Sequence, residues 1–171
     1  MRLLDAENTG STACVCIVRQ EFGHKFLYVA NVGDTRAVLS KNGIAERMSQ
    51  DHKATDQSEV ERIKSGGGIV LENRVGGTLA ITRAFGDHSL RKEGVTAKPF
   101  INKHAIRPFD KFLVIASDGV WDVLEDQDAI NFCKDEFTTK DIAQAIVKSS
   151  LDKGSKDNIS CLVLKFASSP F

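Results

Sequence analysis

The sequence predicts an α+β domain built on antiparallel sheets. Three observations point there. Strand-like segments come in hairpin pairs, helix-like segments come in groups and do not alternate with strands, and no glycine-rich phosphate loop stands at a strand-to-helix junction.

The chain has 171 residues, 42% hydrophobic and 27% charged, which suits a single domain over residues 1–171 with a core of its own. The formal net charge is zero. No basic excess calls for nucleic acid or an anionic membrane surface as a partner. The longest apolar runs, such as residues 112–116, are far too short to cross a bilayer. The opening Met1-Arg2-Leu3-Leu4 runs at once into Asp5 and Glu7 and does not read as a leader. Cys14, Cys16, Cys133 and Cys161 form no CxxC pair and no zinc spacing. They read as small apolar core residues of a reducing compartment, cytoplasmic or nuclear, with one structural disulfide as the alternative.

Residues 11–18 and 26–32, rich in Val, Ile and aromatics, read as strands. Residues 36–39 and 44–48 flank Lys41-Asn42-Gly43, and Asn-Gly is a strong hairpin signal because both residues tolerate positive φ. Residues 56–65 read as a helix capped by Asp56, with Glu59 in capping-box position, Val60 and Ile63 on one face, and Gly66 at the end. A second short hairpin is expected over 69–71 and 74–75. Residues 83–109, interrupted by Gly86, Gly94, Pro99 and Pro108, read as a loop region or surface flap. Residues 112–117 are a buried strand, 125–137 and 139–151 two helices, and 158–166 a closing strand.

Four acids stand where strands end. Asp118 comes directly after the run Phe112 to Ser117, with Gly119 behind it permitting a tight turn. Asp122 lies four residues on, Asp157 precedes the last strand, and Asp34 comes after Asn31-Val32-Gly33. Carboxylates that converge repel one another unless a cation sits between them, and hard oxygen donors suit Mg²⁺ or Mn²⁺ better than Zn²⁺. Such a centre can acidify a water for attack on phosphorus. The plainer reading makes each Asp a turn former or helix cap, Asp122 serving the helix near Glu125. Arg83, beside small residues in 79–87, suits either a bidentate grip on phosphate or a salt bridge to Asp87 or another acid. His52 and His88 sit in polar loops and read as solvated or capping. Cys161 has no basic cluster to acidify it, so a cysteine nucleophile is not expected. An aspartyl-phosphate hydrolase would place its second acid two residues after Asp118, where Val120 stands.

Taken together these segments resemble the metal-dependent protein phosphatases of the PPM, or type 2C, family. The resemblance runs in order through Gly10-Ser11-Thr12-Ala13, residues 31–39, Asp51-His52, residues 79–87, residues 116–122 and Asp157-Asn158-Ile159-Ser160, covering essentially all residues after Asn8. It implies an αββα sandwich, two antiparallel sheets with helices outside. It implies Mg²⁺- or Mn²⁺-dependent hydrolysis of phosphoserine and phosphothreonine in phosphoprotein substrates by a metal-held water. Asp118 and Asp157 resemble ligands of the family's metal pair, and Asp34 and Asp122 the acids of a weaker additional metal. Arg83 resembles a motif arginine of the family, not its phosphate-binding arginine, which lies further N-terminal. The family's Asp-Gly-His-Gly-Gly segment, with its bridging aspartate and general-acid histidine, does not occur in the 171 residues. The fold is therefore expected to be shortened at its N-terminus, and no catalytic residue is assigned. The alternative function is a non-catalytic phosphatase-like binding or regulatory domain. Strands 11–18, 112–117 and 159–166 would lack partners of the family's sheets, so a homodimer through exposed sheet edges is expected.

Overall fold

The computed structural model describes residues 7–166. It divides into two compact units, one made of residues 7–13, 30–34 and 50–100, the other of residues 14–29, 35–49 and 101–166. The strands, in chain order, are β1 (Gly10–Ser11), β2 (Ala13–Glu21), β3 (His24–Val32), β4 (Arg36–Lys41), β5 (Ile44–Arg47), β6 (Val70–Leu71), β7 (Arg74–Val75), β8 (Phe85–Gly86), β9 (Phe100–Ala105), β10 (Asp110–Ala116) and β11 (Cys161–Lys165). The α-helices are α1 (Gln57–Ser65), α2 (Asp118–Trp121), α3 (Asp126–Asn131) and α4 (Thr139–Asp152).

The second unit is layered. A four-stranded sheet in the order β11-β10-β4-β5 faces a three-stranded sheet in the order β2-β3-β9. All pairings of the four-stranded sheet are antiparallel. Alternation along each strand decides what faces what. Leu27, Val29, Ala37, Leu39 and Leu113 meet between the sheets, with Cys14, Cys16, Ile115 and Leu164 packed at the side. Val38, Phe112, Val114 and Ala116 point the other way and are covered by Val120, Leu124, Ile130, Ile142 and Ile146 of the helical segments. The outer face of the three-stranded sheet keeps Val15, Ile17 and Ile101 more than half exposed. Among the described residues of this unit, the helical layer lies against the four-stranded sheet.

Local chemistry sets the element ends. Asn42 (φ 53°) and Gly43 (φ 81°) make the two-residue turn of the β4–β5 hairpin, with Lys41 opposite Ile44. Gln127 lies along β5, accepting from Ala45 N–H (2.9 Å) and donating to Gly43 O (3.0 Å). Asp126 takes Arg36 (2.6 Å) and Arg47 (2.7 Å), tying α3 to β4 and β5, while Arg36 also stacks on Trp121. Thr138 and Asp141 form a capping box at the start of α4.

Four expectations about element bounds, caps and sheet edges need correction. The helix expected over 125–137 stops at Asn131, because Cys133–Phe137 turns and Asp135 is held by Lys111 and Lys165. Asp122 does not cap that helix; Glu125 does, and Asp122 closes α2, a helix too short to carry a periodic signal of its own in the sequence. The loop expected over 83–109 contains β8, a 3-10 turn and β9; the polar Asn102, Lys103 and His104 mask the strand alternation. Residues 112–117 are no sheet edge: β10 is paired on both sides, and among the described residues the edges are β11 and β5 in one sheet, β2 and β9 in the other.

In the first unit α1 packs Ile63 against Ala54, Val75, Ala84 and Val95. Asp56 caps α1 as expected, accepting from Ser58 N–H at 2.8 Å. Glu59, expected as a capping partner, is instead 3% exposed at its side chain and takes Arg83 (2.6 and 3.0 Å), Arg62 (2.8 Å) and the Thr82 hydroxyl (2.6 Å). Burial alone would raise this carboxyl; the hydrogen bonds of Arg83, Arg62 and Thr82 outweigh it and hold it far below the carboxylate range. His52 is fully buried, not solvated. Gly33 N–H donates to its Nδ1 (3.2 Å), its own N–H donates to Gly33 O (3.0 Å), and Nε2 has no partner among the described residues. Burial, aided by the Arg83 charge, lowers its pKa.

Phe112→Ala should cost about 3–5 kcal/mol, since Phe112 is 1% exposed between sheet and helices, while Leu162→Ala, 54% exposed, should stay within about 0.5 kcal/mol. Urea unfolding of the two variants separates them. His52 and Glu59 are two of the groups whose depressed pKa values make stability depend on pH. His52 is protonated more readily in the unfolded chain, so its contribution is complete above about pH 6.5 and lost as pH falls below that. Glu59 contributes above about pH 4.3 and loses its contribution as pH falls further. Thermal melts should therefore drop in two stages on acidification, and His52→Gln should flatten the upper stage alone. Glu59→Ala, which strands Arg83, should cost about 3 kcal/mol at neutral pH.

Candidate functional site

The site begins where β10 runs out. Apolar packing on both faces fixes β10 through Ala116, and Ser117 then leads into α2 with Asp118 as its first residue. Trp121 Nε1 donates back to Ala116 O (2.8 Å), which folds α2 against the strand end. Asp118 Oδ1 accepts the Gly119 N–H at 2.9 Å.

A second turn lies directly against this one. Ser117 N–H donates to Ser160 O (3.0 Å), the Ser117 hydroxyl donates to Asn158 O (3.1 Å), and Ser160 N–H donates to that hydroxyl (3.1 Å). Ser155 adds a bond to Gly119 O at 2.7 Å. Asp157 belongs to this turn and accepts Asn158 N–H at 2.6 Å. Gly119 is needed for the approach, not for a left-handed turn: a Cβ there would lie 2.4 Å from Asn158 O. The structure thus brings the Asp118 and Asp157 turns together. Asp122, exposed, ends α2 four residues after Asp118.

Asp34 belongs to the first unit. It comes after Gly33, whose φ of 93° and contact with Thr12 admit no side chain, and it lies 3.9 Å from Lys53 Nζ. Asn31, fully buried, clamps the segment by donating to Gln50 O (2.6 Å) and accepting from Gln50 N–H (3.2 Å). Arg83 uses Nε and one terminal nitrogen on Glu59 and donates from the other to Lys98 O at 2.9 Å. Its acid partner is Glu59, twenty-four residues away, and not the neighbouring Asp87.

The donors at Asp118, Asp122 and Asp157 are hard oxygens, the type a Mg²⁺- or Mn²⁺-class cation takes. Their number falls short: among the described residues no three His, Cys, Asp or Glu side chains stand where they could hold one ion. The serines that stitch the two turns, Ser117, Ser155 and Ser160, are not legible in the sequence, since single serines near turns carry no distinguishing signal. No described helix is long and apolar enough to cross a membrane.

Comparison with known proteins agrees with this architecture. The chain is 39% identical over 170 residues to protein phosphatase 2C homolog 1 of Saccharomyces cerevisiae, covering 92% of this chain and 60% of that protein. It is 42% identical to protein phosphatase 2C homolog 1 of Schizosaccharomyces pombe, covering 94% of this chain and 47% of that protein. The chain therefore spans about half the length of these curated relatives. Among solved structures, serine-threonine phosphatase 2C from Toxoplasma gondii superposes with a TM-score of 0.79 at 25% identity, over 96% of this chain and 60% of that one. The family model described as protein phosphatase 2C matches residues 2–159, and the chain belongs to that family.

Proposed function

We propose that this chain carries the greater part of a protein serine/threonine phosphatase domain, hydrolysing phosphoserine and phosphothreonine monoesters of proteins with Mg²⁺ or Mn²⁺ in the cytoplasm or nucleus. The observation that supports it is the stitched pair of turns presenting Asp118 and Asp157. We assign those two carboxylates to the cation. Asp122 and Asp34 are each proposed, on the motif match alone, as acids for weaker cation binding. A cation of this kind takes about six oxygen ligands. Waters can supply part of that shell, and further protein donors from a second chain would tighten the binding. The contribution of residues 7–166 is to hold Asp118 and Asp157 on rigid turns. Arg83, with three of its five N–H donors on Glu59 and Lys98, takes a structural role. We further propose association as a homodimer through the open edges of β2 and β11.

A non-catalytic phosphatase-like binding domain is the second reading. It is supported by the small number of acids brought together, since among the described residues no three His, Cys, Asp or Glu side chains stand where they could hold one ion.

Isothermal titration should show weak Mn²⁺ binding that falls further in Asp118→Ala; equal affinity in parent and variant would remove Asp118 from the cation. Turnover of a phosphothreonine peptide with Mn²⁺ should be low for protein that light scattering shows to be monomeric, and should rise with the dimer fraction. Ordinary enzyme rates from the monomer would contradict the shared site. No turnover at any concentration would favour the binding domain.

A further inference from the structure

Cys14 and Cys16 stand two residues apart on β2, and both point into the side of the core between the two sheets. Their surroundings there are apolar, with Leu27, Val29 and Leu164 in the same cluster. Leu27 and Val29 are fully buried, whereas both cysteines are only partly buried, on a strand that among the described residues has no neighbour on its outer side. The pair is thus sheltered from bulk water yet open to a small solute.

The two thiols act on each other. The Cys16 thiol beside it lowers the Cys14 thiol below its ordinary value, although burial pulls the other way. The same contact, with burial, pushes Cys16 up. Cys133 and Cys161 differ: burial pushes them to about 11 and about 12.

Geometry decides what such a pair can hold. Residues i and i+2 of a strand lie about 6.7 Å apart, at the upper limit for a disulfide, and their Cβ vectors run parallel. A sulfur–sulfur bond would bend the strand. One metal atom between the sulfurs, with metal–sulfur bonds of about 2.3 Å, spans about 4 Å and asks for less movement. Zinc takes four ligands, and among the described residues no third His, Cys, Asp or Glu side chain joins the pair. Thiolates select soft cations, and copper(I) is satisfied by two of them.

We propose that Cys14 and Cys16 form a two-thiolate site for a soft monovalent cation of the copper(I) class. Two sulfur–copper bonds form, two thiol protons leave to solvent, and no electron is transferred. The site is independent of the phosphatase reading.

Anaerobic titration of the full 171-residue chain with copper(I) held by a coloured chelator tests it. The chain should withdraw a single equivalent, with a sulfur-to-copper ultraviolet band, and Cys14→Ser and Cys16→Ser should each abolish this. Cys133→Ser and Cys161→Ser should leave it unchanged. On the parent, copper(I) should protect Cys14 and Cys16 alone from alkylation mapped by mass, a readout that needs no variant to fold. No copper withdrawn by the parent, parent-strength binding in either β2 variant, or protection at other cysteines would overturn the site.

Discussion

Strand β10 has no polar face, and the rest of the second unit is built around that fact. Phe112, Val114 and Ala116 need a helical cover, while Leu113 and Ile115 need a facing sheet. Burying both sides removes every slack register, because a shift of one residue would exchange the two faces and leave both cores mispacked. A strand fixed in this way delivers the next residues of the chain to a fixed place. Those residues are Ser117-Asp118-Gly119.

The turn at Asp118 and the turn at Asp157 are joined through the Ser117 hydroxyl and backbone groups. The two carboxylates also make short bonds to their own neighbouring amides, at Gly119 and Asn158. The first unit solves its corresponding problem differently. There Glu59 is buried beneath Arg83 and Arg62, and the Gly33 peptide is held by Asn31 and His52. Buried charge costs desolvation, so such a network persists only because each oxygen of Glu59 is satisfied.

Much of this is legible in the residues. The Asn42-Gly43 turn, the Asp56 cap and the two-sided apolar run at 112–116 are each local signals with a local cause. The expectations fail where the cause is distant. Glu59 sits where a capping box wants an acid, yet its partner Arg83 lies twenty-four residues on, and no spacing rule links them. His52 looks polar because its neighbours are; its burial depends on Gly33, nineteen residues earlier. The sequence marks Gly119 as necessary for a turn, when the true demand is the nearness of Asn158. The pairing of the Asp118 and Asp157 turns is likewise a tertiary fact, created by β10 and β11 lying side by side.

Gln127 gives the four-stranded sheet a polarity. Its amide offers β5 one acceptor and one donor, the two groups that a neighbouring strand would present, and so occupies that margin with a side chain. A newcomer along β5 would have to strip away both bonds before forming its own. The β11 margin carries no such imitation among the hydrogen bonds of the described residues. Among the described residues, polypeptide added along β11 would lie on the flank that also bears the Asp157 turn, whereas polypeptide added along β5 would first have to displace Gln127.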